Sequence, residues 1–217
     1  RLTQPRGVPA GRQDKEDARM RRAGLAVVLT AVVMGNGCGD REARAESGRT
    51  PVVDSAVPIE VALERFRRDH VRPAGLTGGA GTREALVRRF VSALESSDTA
   101  ALREMVLQRN EFAWLYYPTT AFARVPYELP PALLWFQMQG QTEKGASLLL
   151  SERAGTPLGY RGHQCASDRR EGDNSIHGHC VIVRASATGD TVRDRLFGLI
   201  VERGGVYKFV SYANKLD

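Results

Sequence analysis

The sequence predicts an α+β fold, with N-terminal helices packed against a curved antiparallel sheet, on three observations. Apolar residues recur at three- and four-residue spacing in the first half of the domain. After Gly155 the pattern becomes strand-like, with turn signals about every ten to fifteen residues. The last two connections, "ATGD" and "GG", are short enough for antiparallel hairpins. Helices first and a sheet afterwards is the α+β order.

Residues 1–19, "RLTQPRGVPAGRQDKEDAR", are polar and without apolar periodicity, and are expected to be an upstream extension with Met20 as the start. Residues 20–38 have the build of a secretory signal: Met20 and two arginines, an apolar run from Ala23 to Met34, then small residues. Cys38 follows directly, as in a bacterial lipoprotein, and is the expected lipidation site. Gly37 and Cys38 fit that pattern, whereas Gly35 and Asn36 depart from it. The apolar run is shorter than the roughly 18 residues wanted to span a bilayer. Residues 39–57 are charged, small and unpatterned, the composition of a tether.

Residues 58–81 read as a short helix and a Gly-rich linker. Pro58 stands at a helix start, with Ile59, Ala62, Leu63 and Phe66 on one face, and "RPAGLTGGAG" then breaks the chain. The domain proper is expected over 82–217. Its first helix carries Leu86, Val87, Phe90, Val91 and Leu94 on one stripe, with Thr82 as N-cap and Glu84 in the first turn. Asp98 caps a second helix after a short turn, so the two should be neighbours. "EFAWLYYP" is compatible with a helical turn or a short strand, and "TTAFARVPYELPP" reads as a Pro-rich loop. Pro131 opens a third helix through Arg153. Four strands follow: "PLGYRGHQC", "IHGHCVIVRAS", "TVRDRLFGLIVER" and "GVYKFVSYA", the first two joined by "ASDRREGDNS".

Two paired helices, an aromatic segment, a third helix and four closing strands resemble the nuclear-transport-factor-2-like superfamily, including its SnoaL-like members. The likeness is carried by "LVRRFVSALESSDTAALREM" and by "VYKFVSY" after Gly-Gly. It implies a cone-shaped, cystatin-like arrangement that encloses a pocket between sheet and helices. Members range from isomerases and cyclases to ligand-binding and non-catalytic dimerisation modules, so the fold does not fix the function.

Trp114, Trp135 and Tyr160 are the candidate pocket lining. Glu111, beside "FAWLYY", is the carboxylate that apolar surroundings would suit to proton transfer, and Asp194 in "RDR" is a second candidate base. Tyr116 and Tyr117 are candidate hydrogen-bond donors. No G-x-S-x-G, Walker loop, H-E-x-x-H or C-x-x-C occurs over 82–217.

His163, His177 and His179, with Cys165 and Cys180, could supply zinc ligands. Strand alternation argues against it. If both cysteines share a face, His177 and His179 lie on the other. In an oxidising compartment the pair Cys165 and Cys180 reads instead as a disulfide.

The formal charge is +6, yet residues 1–37 carry seven Arg/Lys against three Asp/Glu, leaving +2 for the remainder. Nucleic acid is therefore not an expected partner. The expected protein is exported and membrane-anchored in the bacterial cell envelope through lipid on Cys38. Its domain binds a small apolar ligand or an envelope partner protein without catalysis or cofactor, and a homodimer through the sheet is a further expectation. The alternatives are a small-molecule isomerase or hydrolase using a pocket carboxylate, and a metal-binding envelope protein.

Overall fold

A computed structural model describes residues 57–214. The expectations for residues 1–19, for the signal segment with Cys38, and for the tether up to residue 56 lie outside the described residues.

Helix α1 (Ile59–Arg67) follows Pro58 and buries Phe66. Helix α2 (Arg83–Glu95) is capped by Thr82, whose hydroxyl accepts from the Ala85 amide at 3.1 Å. Its apolar stripe, from Leu86 to Leu94, is buried. Helix α3 (Thr99–Met105) is capped by Asp98, which accepts from the Ala101 amide at 2.9 Å. The aromatic segment is helical throughout. A short α4 (Arg109–Glu111) runs into a π-helical turn, Phe112–Tyr116, and a 3-10 turn, Tyr117–Thr119. Helix α5 (Pro131–Arg153) has the expected limits.

The sheet is antiparallel and five-stranded: β1 (Tyr160–Glu171), β2 (Asn174–Ala185), β3 (Thr191–Asp194), β4 (Ile200–Arg203) and β5 (Val206–Phe209). It differs from the expected four strands in two places. First, "ASDRREGDNS" is mostly strand: Glu171 pairs with Asn174 around a two-residue turn at Gly172 and Asp173, with Gly172 at φ +60. This arm looks like a loop in sequence because residues 168–170 are exposed and charged, so no apolar alternation marks them. Second, "TVRDRLFGLIVER" is two strands. β3 pairs with the C-terminal part of β2 and β4 with its N-terminal part. Between them Leu196 and Phe197 are both fully buried and belong to neither strand. The β4–β5 turn uses Gly204 and Gly205, at φ +58 and +78, the left-handed pair that a tight hairpin requires.

β4 and β5 lie between two apolar clusters. On one side Ile200 and Phe209 join Phe90 of α2, Phe197 and Tyr212, with ring centroids 4.6–5.5 Å apart. Such pairs add about 0.5–1.5 kcal/mol each beyond their burial. On the other side Val201 and Val210 join Phe66, Phe112, Tyr117 and Leu134. All these residues belong to one compact unit with its own core.

Residues 58–81 pack into this unit and do not link to it from outside. Phe66 and Leu76 are in the second cluster, and Ala80 pairs with Tyr207 through two backbone hydrogen bonds of 3.1 and 2.8 Å. Gly79 lies so close to β5 that a Cβ there would be 2.2 Å from the Tyr207 carbonyl oxygen. Glycine serves here for close approach rather than for flexibility.

Candidate functional site

A groove of about 590 Å³ lies between α3 and α5, floored by Val210 and Tyr212 after β5. This volume is within the usual range for small-molecule sites. α3 contributes Leu102, and α5 contributes Trp135, Met138 and Leu150. Trp135 is held by Phe112, with ring centroids 5.2 Å apart. The Tyr212 hydroxyl donates to the Leu102 carbonyl oxygen at 2.7 Å, tying floor to wall, and burial pushes its pKa up. The charged side chains at the groove are Arg103 and Glu143, both exposed on its rim. The site can therefore hold an apolar body and offer polar contacts at its edge.

Of the pocket residues expected from sequence, Trp135 lines this groove, while Trp114 and Tyr160 lie elsewhere. The Trp114 indole donates to the His70 carbonyl oxygen at 3.2 Å, and the Arg67 guanidinium sits 4.1 Å from its ring centroid. Tyr160 lines a separate cleft beside Arg88. Helical periodicity could not reveal the groove, because its walls come from three elements.

None of the four candidate acid–base residues lines the groove. Glu111 is fully buried and both its oxygens are engaged. Oε1 accepts from the Thr77 amide at 2.7 Å and the Thr77 hydroxyl at 3.3 Å, and Oε2 from the Gln108 amide and Lys208 Nζ, each at 2.8 Å. Asp194 on β3 pairs with the Arg184 guanidinium on β2. Tyr116 is buried and its phenol is pushed up in pKa by desolvation; the Tyr117 hydroxyl donates to the Leu129 carbonyl oxygen at 2.7 Å. The four are not gathered around one open space. Lys208, fully buried and missed by the sequence reading, has its ammonium pKa lowered by burial despite the opposing pull of Glu111.

The three candidate metal-ligating histidines are also dispersed, and among the described residues no group of three His, Cys, Asp or Glu side chains is placed to hold a metal ion. His163 Nδ1 lies 3.0 Å from Glu84 Oε2, which also accepts from the Tyr160 hydroxyl at 3.2 Å. Burial outweighs the attraction of Glu84 and lowers the His163 pKa. Burial, with Glu84 alongside, raises Tyr160 to about 12. His177 Nδ1 lies 2.6 Å from Asp168 Oδ1, and its ring stacks on Tyr207 with centroids 5.8 Å apart. That hydrogen bond holds the Asp168 carboxyl below its ordinary value. His179 is exposed and adopts φ +51. Arg83 and Glu84, in the first turn of α2, meet His177 and His163 respectively. Glu84 stood out in sequence only for its place in the first turn.

Cys165 and Cys180 are directly opposite in the β1–β2 register and form a disulfide. Closing a loop of 15 residues this way stabilises the fold by about 3 kcal/mol in the chain-entropy account. Among the described residues no helix is long and apolar enough to cross a membrane.

Fold and groove define an α+β domain with an open antiparallel sheet and an apolar cleft between two helices. No family model, curated protein or solved structure matches the chain.

Proposed function

We propose that this chain is an exported, lipid-anchored cell-envelope protein whose domain binds a small apolar ligand without catalysis in the α3–α5 groove. The observation that carries this reading is the composition of the groove: its lining is mostly apolar, its charged side chains, Arg103 and Glu143, are exposed, and the Tyr212 hydroxyl on its floor is committed to the Leu102 carbonyl oxygen. A reaction needing a positioned acid or base would find none on that floor. Export is supported by the disulfide, which persists in oxidising compartments, and by the signal-like segment before Cys38.

The order of elements supports a nuclear-transport-factor-2-like architecture. In that architecture the pocket lies between sheet and helices; here Phe90 of α2 packs directly on Phe197, Phe209 and Tyr212. Binding in this protein then belongs to the helical side.

The test is native mass spectrometry of detergent-free protein with lauric acid as probe. A one-to-one complex is expected, and Ser147→Trp, which projects a ring from the rim, should weaken it at least about tenfold. Lauric acid binding that is absent, or indifferent to Ser147→Trp, would refute the groove as the site. The mass of the Cys38 peptide from membranes tests the anchor separately.

A further inference from the structure

The large exposed apolar side chains of the described residues, apart from Val71, come from two stretches, 57–61 and 122–136. Val125 is 78% exposed, Phe136 73% and Tyr127 62%, values unusual for such side chains on a surface that meets only water. The stretches meet: one cleft is lined by Val57, Pro58 and Phe66 together with Glu128, Pro130 and Ala132. Phe122 and Tyr127 are in ring contact at 5.6 Å, and the Leu129 amide donates to the Phe122 carbonyl oxygen at 2.8 Å. Leu133 and Phe136, three apart, share the outer face of α5 while Leu134 and Met138 point to the core.

Charge is sparse in the second stretch. Residues 119–142 carry one cation, Arg124, and one anion, Glu128, in a chain that is 26% charged, while the cleft beside α1 adds Glu60, Arg65 and Arg109. An exposed apolar surface of this kind, rimmed by charged side chains, marks an interaction site. Its position says with what. Val57 is both part of the surface and the point at which the chain arrives from Cys38, nineteen residues earlier. Nineteen residues reach at most about 65 Å when extended, and about 24 Å root-mean-square as a coil. Acyl groups on Cys38 would therefore hold this face close to the bilayer at high effective concentration.

We infer that the surface formed by Val61, Phe122, Val125, Tyr127, Leu133 and Phe136 docks on the lipid bilayer, seating its rings at the headgroup boundary. The domain then lies on the membrane with a fixed face and does not hang free on its tether. The choice of a bilayer over a protein rests on the proposed acylation of Cys38; the contact itself does not need the acyl group.

The experiment uses residues 39–217 without lipid, which contain the whole compact unit, and co-sedimentation with phosphatidylethanolamine–phosphatidylglycerol vesicles. The unsubstituted chain should partition, and Val125→Asp and Phe136→Asp should each lower the partition coefficient about tenfold or more. Val71→Asp, at the exposed valine outside the surface, should leave it unchanged. Raising salt to about 0.5 M should alter it less than about twofold, because the contact is apolar. Near-ultraviolet circular dichroism confirms folding of each variant. No sedimentation of the unsubstituted chain, or sedimentation indifferent to both aspartates, overturns the inference. So does conversion of a dimer to a monomer by these aspartates with partition unchanged, which would assign the face to a second copy. Because acylation is absent from this experiment, an unmodified Cys38 in the native protein would fail the anchor and not this contact.

Discussion

Replacing Glu111 with glutamine separates a structural from a catalytic role for this carboxylate. In the fold Glu111 Oε2 accepts from both Lys208 Nζ and the Gln108 amide at 2.8 Å, with Glu111 and Lys208 fully buried. Glutamine keeps one acceptor oxygen, enough for Thr77, and presents an amide group to Lys208 and Gln108. The ammonium is then left buried without its counter-ion. Breaking a buried pair from one side costs about 3–5 kcal/mol, a large share of a typical stability of about 5–15 kcal/mol. With a urea slope of about 2 kcal/mol per molar, the midpoint should fall by about 2 M. Urea titration followed by far-ultraviolet circular dichroism measures this directly.

The partner substitution sharpens the test. Lys208→Met fits an apolar stem into the same space and removes the cation, so Glu111→Gln with Lys208→Met should be more stable than Glu111→Gln alone. The double-mutant cycle should give a coupling of about 2 kcal/mol or more. A midpoint shift below about 0.3 M for Glu111→Gln, or losses that simply add, would refute the account of Glu111 as the clamp joining α4, Thr77 and β5. A general base in an open pocket would behave oppositely, losing turnover while keeping its fold.

Two further outcomes follow from close packing and from a buried ring. Gly145 on α5 faces the C-terminal segment so tightly that a Cβ would lie 1.9 Å from the Tyr212 carbonyl oxygen, whereas a Cβ on Gly140 meets nothing within 4 Å. Gly145→Ala should therefore destabilise by about 1–3 kcal/mol net of its helix-propensity gain, while Gly140→Ala should stabilise by up to about 1 kcal/mol. Thermal melts of the two variants moving in the same direction would contradict this. His163, held beside Glu84 and Tyr160, has a pKa lowered by burial from its ordinary 6.5, so on acidification the unfolded chain takes this proton first. Its contribution is complete above about pH 6.5 and is lost as the pH falls toward the folded value. His163→Gln should show a smaller drop in urea midpoint between about pH 7 and about pH 5 than the native chain, and equal drops would rule the ring out as the source.

Local rules made much of the fold legible and left the contacts between distant segments hidden. Thr82, Asp98 and Pro131 announce their helices because capping is settled within a few residues of the cap. Cys165 and Cys180 could be paired from their even count and the export signal, and they stand directly opposite in the β1–β2 register. The aromatic segment after Glu111 could not be assigned, since rings suit a helix as well as a strand and only packing against Phe66 and Trp135 decides. The expected strand over 191–203 failed for a related reason: β3 and β4 are separated because they pair with opposite ends of β2, a tertiary choice that Gly198 alone, packed against Ser211, signals only weakly in sequence. Lys208 is the sharpest case. It sits on a strand with apolar clusters on both sides, so alternation cannot tell a buried lysine there from an exposed one. What makes its burial tolerable is Glu111, 97 residues earlier. The same carboxylate that invites a catalytic reading from its apolar neighbours in sequence is, in the folded chain, already committed to a cation those neighbours do not disclose.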